Sequence, residues 1–193
     1  IEALREIRAV ADRAGLPMHL DGARLWNAYV ATGVALREYG ELFETVNVCL
    51  SKGLGAPVGS VLVGSQARID AARVQRKRLG GGWRQAGMLA AAGLYALEKN
   101  IARLAEDHAS ARGFAEAVAL AIPGSVDPEK VPTNIVVVNV GERAAGDVVA
   151  AAAERGVRLS AVGGHLVRAV THLDVTLDEC REAGRLLGEV LTH

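Results

Sequence analysis

The amino-acid sequence predicts an α/β protein, with part of a large, mostly parallel sheet domain followed by a small α+β domain. Helical patterns alternate with short apolar strands from the start of the chain. Two short apolar runs, 46–50 and 58–63, flank a glycine-rich turn and are expected to be buried strands. The pattern changes at Pro123-Gly124, which places one predicted domain at 1–122 and the second at 123–193.

The first helix is predicted over residues 2–14. Its apolar residues Leu4, Ile7 and Ala11 recur at helical spacing, and Gly15 follows as a C-terminal stop. The chain therefore opens inside an amphipathic helix and without a methionine. We expect a longer protein of which these residues form the C-terminal part.

The other elements are predicted from the same two periodicities, with glycine or proline at many of their ends. The predicted helices cover residues 22–32, 66–79, 83–99, 101–122, 144–155 and 177–191. The predicted strands cover residues 17–20, 46–50, 58–63, 135–140, 157–161 and 166–170.

The composition is that of a globular protein with no net charge. Lysine plus arginine and aspartate plus glutamate both number 22, so no global field favours nucleic acid or an anionic membrane. No apolar run approaches the roughly twenty residues that span a bilayer, and the N-terminus has no signal-peptide pattern. Cys49 and Cys180 are too far apart in sequence for a metal spacing, and they indicate two structural thiols in a reducing cytoplasm.

Lys52 is the first candidate site residue, because it stands where a predicted strand opens into the turn Gly53-Leu54-Gly55-Ala56-Pro57. A desolvated lysine loses its proton more readily and can then form a Schiff base with a carbonyl. An ordinary solvated lysine at a strand end is the alternative. The glycine spacing fits neither a dinucleotide fingerprint nor an ATP-binding loop, whose lysine follows its glycines.

Asp21 is the second candidate, because it follows the apolar strand at 17–20. In open α/β sheets, ligands bind beyond the carboxyl ends of the strands. The alternative is that Asp21 caps the helix predicted over 22–32.

A basic segment follows the third predicted strand. It includes Arg73, Lys77 and Arg84, and Arg84 is expected on the first turn of the helix after Gly80-Gly81-Gly82. A glycine-rich turn at a helix N-terminus is a plausible anion site. The alternatives are a solvated helix face or, with less support because aromatic residues are not interleaved, nucleic-acid binding.

Arg168 interrupts an otherwise apolar strand at 166–170. A charge within a buried strand needs a partner, and a guanidinium group matches a carboxylate. The alternative is an edge strand with Arg168 facing water.

Four motifs together resemble the threonine aldolases, which are pyridoxal-phosphate enzymes of the aspartate-aminotransferase-like fold. The motifs are H-x-D-G-A-R at 19–24, S-K-G-L-G-A-P-V-G-S at 51–60, L-G-G-G-W-R-Q-A-G at 79–87 and V-R-A-V-T-H-L-D-V at 167–175. The resemblance covers nearly the whole chain. It implies the pyridoxal-phosphate transferase fold, and it implies that an N-terminal region with the phosphate cradle and a ring-stacking histidine precedes Ile1. Trp83, where the family often has methionine, is a small departure.

The resemblance also implies a role for each candidate residue. Lys52 would carry pyridoxal 5'-phosphate covalently, and Asp21 would pair with the pyridinium nitrogen so that the ring acts as an electron sink. Arg168 and Arg24 would hold the substrate carboxylate, and Arg24 is also a candidate contact for the cofactor. Arg84 would contact the cofactor phosphate, with Lys77 as a further site candidate. His19 and His172 are expected to be structural.

The activity that the resemblance implies is cleavage of L-threonine or L-allo-threonine to glycine and acetaldehyde by a cytoplasmic homo-oligomer that binds neither nucleic acid nor membrane. Another lyase or an aminotransferase of the same fold, acting on a small amino acid, is the alternative. A non-catalytic binding module that uses the basic segment is a third possibility. No metal is expected.

Overall fold

A computed structural model describes residues 1–192 of the 193-residue chain. The chain divides into two compact units, Ile1–Ala102 and Arg103–His193, and each is described by itself. No helix among the described residues is both long and apolar enough to cross a membrane.

The elements agree closely with the predicted order. The α-helices are α1 Glu2–Arg13, α2 Leu25–Thr32, α3 Leu36–Gly40, α4 Gln66–Arg78, α5 Gly87–Lys99, α6 Leu104–Ala121, α7 Ala145–Glu154 and α8 Leu177–Thr192. The strands are β1 His19–Gly22, β2 Thr45–Cys49, β3 Ser60–Gly64, β4 Ile135–Asn139, β5 Ser160–Ala161 and β6 Leu166–Val170.

The first unit contains a three-stranded sheet in the order β1-β2-β3. β1 and β2 are parallel, with Asp21 opposite Asn47, whereas β3 runs antiparallel to β2. Successive strand residues point to opposite faces, so Val46 and Val48 are buried in a small core with Leu25 of α2. Because β1 and β2 are parallel, their carboxyl ends lie at the same end of the sheet.

The prediction that the third strand is buried is wrong for the described chain. All five residues of β3 are exposed, and among the described strands β3 pairs with β2 alone. The following helix α4 also has no buried residue among those described. A run of β-branched residues indicates a strand, but it does not show whether another layer of the same chain covers it.

The second unit is the predicted α+β layer. Its sheet has the order β4-β6-β5 with every pair antiparallel. Helices α6, α7 and α8 supply the rest of a continuous apolar core, which the strands share.

The compact units divide one helix earlier than the predicted domain boundary at 122/123. Helix α6 buries Ala111, Phe114, Ala115 and Val118 in the core of the second unit. Pro123-Gly124 ends this helix, but the apolar face of α6 determines which core it joins. The assignment of domains stays a prediction.

Helices α6 and α8 approach closely through small residues. A Cβ added to Gly188 of α8 would lie 2.4 Å from Cβ of Ala121, and one added to Gly184 would lie 2.6 Å from the Phe114 carbonyl oxygen. Real Cβ atoms essentially never come this close, so both positions require glycine for the observed spacing.

Candidate active site

The segment after β2 forms a tight turn that begins and ends beside the sheet. The Leu50 amide donates to the Gly59 carbonyl (2.9 Å), and the Ala56 amide donates to the Leu50 carbonyl (3.0 Å). Gly55 and Gly59 have φ angles of 70° and 120°. Residues with a Cβ rarely adopt these angles, so glycine is strongly favoured at both positions.

The middle of this turn is anchored to the first unit. Leu54 is only 1% exposed, and its carbonyl accepts a hydrogen bond of 2.7 Å from the Asn100 side-chain amide at the end of α5. The Lys52 carbonyl accepts from the Gly55 amide at 2.8 Å. The backbone at Lys52 is therefore fixed from both sides.

The Lys52 side chain is exposed in the described chain. The first unit therefore does not supply the desolvation that the sequence analysis considered for this residue. Its ammonium group folds back three residues along the chain, and Nζ donates to Cys49 Sγ at 3.1 Å.

Cys49 is 8% exposed at the end of β2. Burial acts to raise the pKa of its thiol, but hydrogen bonds from Ser51 and Lys52 outweigh burial and hold the pKa below its ordinary value. The backbone is held as well, because the Trp26 indole of α2 donates to the Cys49 carbonyl at 3.0 Å.

Asp21 lies within β1, and its side chain is exposed. Its Oδ1 accepts a hydrogen bond of 3.2 Å from the Ala23 amide. Helix α2 begins only at Leu25, with Arg24 at the N-cap position and no side-chain cap. The capping alternative is therefore wrong, and the carboxylate stands at the same sheet edge as the end of β2.

Two neighbours complete the H-x-D-G-A-R segment. Half-buried Arg24 immediately precedes α2. His19 Nδ1 lies 2.8 Å from Thr45 Oγ1 on the paired strand, which gives this histidine a structural contact.

The prediction that Arg84 lies on the first turn of a helix is wrong. Helix α5 begins at Gly87, and residues 81–85 have no regular structure. Gln85 has a φ of 51°, which interrupts the helical path before α5. Arg84 is exposed on this loop, and the Lys77 side chain lies against Gly82, since an added Cβ there would be 2.7 Å from Lys77 Nζ.

Arg168 lies in the second unit, on the central strand β6, where it is opposite Val137 and Ser160. The edge-strand alternative is therefore wrong. The guanidinium Nε is buried and has no hydrogen-bond partner among the described residues, which is unusual for a buried donor. The structure brings Asp21, Arg24 and Lys52 together in one unit, and Arg168 is described apart from them.

Sequence reasoning missed Cys49 as a neighbour of Lys52. It classed both cysteines as structural. Cys49 is three residues before Lys52, and its sulfur accepts a hydrogen bond from the Lys52 ammonium group. Trp26 and Asn100 were also missed, because their contacts with this segment join residues 23 and 46 positions apart.

The comparisons with known proteins cover most of the chain, the candidate site included. The family model described as β-eliminating lyase matches residues 1–142, which include Asp21 and Lys52. The chain belongs to the β-eliminating lyase family.

Two relatives within this family illustrate how far the similarity extends. The low specificity L-threonine aldolase of Escherichia coli (strain K12) is 44% identical over 181 residues, which are 94% of this chain and 53% of that protein. Low-specificity L-threonine aldolase 1 of Arabidopsis thaliana is 39% identical over 182 residues, which are 93% of this chain and 51% of that protein. The chain thus spans about half the length of the curated relatives it matches.

A solved structure confirms the α/β fold class. The Leishmania major threonine aldolase has a TM-score of 0.73 at 16% identity, over 97% of this chain and 56% of that one. At this identity the likeness concerns the fold alone, which is the predicted partial pyridoxal-phosphate transferase fold.

Proposed function

We propose that the protein to which this chain belongs cleaves L-threonine or L-allo-threonine to glycine and acetaldehyde, with pyridoxal 5'-phosphate as cofactor. The observation that carries the proposal is that Asp21 lies near the carboxyl end of β1 and Lys52 three residues after the end of β2, the strand parallel to it. The names of the relatives support the choice of substrate. We also propose a cytoplasmic homo-oligomer.

The residues present suit this cofactor. Lys52 offers an exposed amine on a turn whose backbone is fixed, so that its nitrogen can attach to an aldehyde carbon. Asp21 offers an exposed carboxylate on the neighbouring strand β1, suited to a pyridinium nitrogen. When bound, the cofactor withdraws electrons from the bonds at the α-carbon of the amino acid.

The arginines suit the two anionic groups. Arg168 has a buried donor without a partner among the described residues, and a bidentate contact with the substrate carboxylate would satisfy it. Arg24, two residues after the strand β1, is the second carboxylate contact. Exposed Arg84, with Lys77 nearby in sequence, is assigned to the cofactor phosphate.

A second candidate is β-elimination on a small amino acid, and the family description favours it. Both reactions use Asp21 and Lys52 in the same roles. They differ in the bond that breaks, because aldol cleavage breaks Cα–Cβ and elimination removes a group from Cβ.

The test uses the intact protein with pyridoxal phosphate and L-threonine, without a keto acid. Aldol cleavage gives glycine and acetaldehyde in equal amounts, β-elimination gives a keto acid and ammonia, and an aminotransferase gives neither without an acceptor. Borohydride reduction followed by peptide mapping is expected to place the cofactor on Lys52, and Lys52→Ala to remove both label and turnover. A label on another lysine, or a colourless protein, contradicts the proposal.

A further inference from the structure

The proposed chemistry of Lys52 leaves one close contact unexplained. Lys52 Nζ donates to Cys49 Sγ at 3.1 Å, and Ser51 Oγ lies 3.5 Å from the same sulfur. A lysine at a strand end that faces water has no need of a buried thiol, because water satisfies its donors. The contact instead places the nitrogen at the carboxyl end of β2, near the edge where Asp21 stands.

The thiol is itself held in place. Cys49 is buried and ends β2, Trp26 fixes its carbonyl, and its sulfur also approaches the Gly59 carbonyl at 3.9 Å. Lysine has a long and flexible side chain. A fixed acceptor at one place therefore restricts where the Lys52 nitrogen rests.

Attachment to the cofactor changes what the nitrogen can donate. A lysine ammonium group has three N–H donors. When the amine condenses with an aldehyde, one water leaves with the aldehyde oxygen and both amine hydrogens, and a C=N bond forms. The nitrogen then carries at most one hydrogen, so attachment weakens or removes its contact with Cys49.

We propose that Cys49 is a positioning residue that holds the Lys52 amine whenever Lys52 is not attached to the cofactor, and that it therefore competes with attachment. This inference rests on the proposed function. A contact made in only one of two states shifts the equilibrium towards that state. Cys49 stabilises the released lysine, the form that must exist each time substrate takes the place of Lys52.

The first experiment measures the contact itself, without turnover. Cofactor-free intact protein is alkylated with iodoacetamide, and the rate at Cys49 is divided by the rate at Cys180, the other buried free cysteine. Because thiolates are the reactive form and the ammonium favours the thiolate, we expect Lys52→Met to lower this ratio about three- to tenfold. Lys52→Arg keeps the positive donor and is expected to retain most of the wild-type ratio.

The second experiment measures cofactor binding by absorbance titration with pyridoxal phosphate. Cys49→Ala and Cys49→Ser differ only by a hydroxyl group that can accept from Lys52. We expect Cys49→Ala to bind the cofactor about threefold or more tightly than Cys49→Ser, because only the serine still stabilises the released amine. The matched pair Cys180→Ala and Cys180→Ser is expected to show no difference, and thermal melts verify that all four variants fold.

The outcomes separate this inference from the proposed function. Equal cofactor affinity of Cys49→Ala and Cys49→Ser, with normal binding by the wild type, overturns the inference and leaves the proposed function intact. An alkylation ratio that Lys52→Met does not change also overturns it. A wild type that binds no pyridoxal phosphate overturns the proposed function and the competition with it, while the alkylation ratio still decides whether the contact exists.

Discussion

Gly22 has no side chain, and this allows β1 to approach β2 closely. A Cβ on Gly22 would lie 2.7 Å from the Asn47 carbonyl oxygen, so any other residue would push the two strands apart. Asp21 is the preceding residue, and its carboxylate is placed by this same strand pair. The glycine after the aspartate is therefore a spacing requirement of the sheet, and it acts on the candidate site only through backbone position.

The first residue-scale prediction concerns the effect of removing the charge of Asp21. Asp21→Asn keeps the size and the acceptor of the Ala23 amide, but a neutral amide does not stabilise a pyridinium nitrogen. We expect kcat for threonine to fall by roughly two orders of magnitude or more, with cofactor affinity much less affected. Steady-state kinetics and cofactor titration measure the two effects.

The control for this prediction is Glu41→Gln, which removes an exposed carboxylate of the same unit that pairs with Arg37 on α3. Its activity is expected to match the wild type. Turnover of Asp21→Asn within a few-fold of the wild type would mean that Asp21 has no electrostatic role in the reaction.

The second residue-scale prediction concerns the shape of the Arg168 side chain. Arg168→Lys keeps the charge, but a compact ammonium group cannot reproduce a bidentate contact with a carboxylate. We expect kcat/KM for threonine to fall by about tenfold or more, with cofactor affinity unchanged. Arg112→Lys is the control, because Arg112 is a partly exposed arginine that pairs with Glu129. Unchanged kinetics of Arg168→Lys would remove it from the substrate site.

At the scale of the elements, periodicity and turn residues predicted nearly every helix and strand, because each has a one-sided apolar pattern or a glycine at its end. The same signals say nothing about which layer covers an element. The sequence of β3 resembles a buried strand, yet every one of its residues is exposed. The start of α5 was placed too early, since the positive φ of Gln85 depends on the fold of the loop.

The contact between α6 and α8 carries the element-scale prediction. Gly188→Ala would place a methyl group 2.4 Å from Cβ of Ala121. The two helices must then separate, and overpacking of this kind typically costs about 1–3 kcal/mol. Chemical denaturation of the whole protein, followed by circular dichroism, measures the change in the free energy of unfolding.

Gly146→Ala is the matched control for this substitution. Gly146 also lies within a helix, α7, but an added Cβ there meets no atom within 4 Å. Alanine favours a helix over glycine by about 0.5–1 kcal/mol, so this variant is expected to be neutral or slightly more stable. If Gly188→Ala were equally harmless, the helices would not need the close approach.

At the scale of the whole molecule, the two units differ in how much apolar surface they bury. The core of the second unit joins three helices to its sheet and includes fully buried side chains such as Leu187 and Val136. The first unit has a much smaller core around Val46 and Val48. It also leaves large apolar side chains in water, among them Leu79 at 87% and Met88 at 85% exposure.

The sequence could indicate only some features of the candidate site. Lys52 and Asp21 could be selected as candidates because each stands near the carboxyl end of a predicted strand, a position that sequence pattern reveals. Cys49 contacts the Lys52 side chain, and Asn100 contacts the turn that follows Lys52. Both contacts depend on how the chain folds back on itself. The unsatisfied Nε of Arg168 likewise depends on the central position of β6, which pairs with two strands that flank it in space.

The final prediction is that the two units of this chain, residues 1–193, differ in local stability. Regions with few buried apolar contacts open at lower free energy than a well-packed core. We therefore expect backbone amides of β4, β6, α6 and α8 to exchange hydrogen most slowly, and those of β3 and α4 to exchange fastest among the sheet and helix residues. Hydrogen exchange read by mass spectrometry tests this on peptides from each element. Equal protection of α4 and α8 would contradict it, since α4 has no buried residue whereas α8 buries Cys180, Leu187 and Val190.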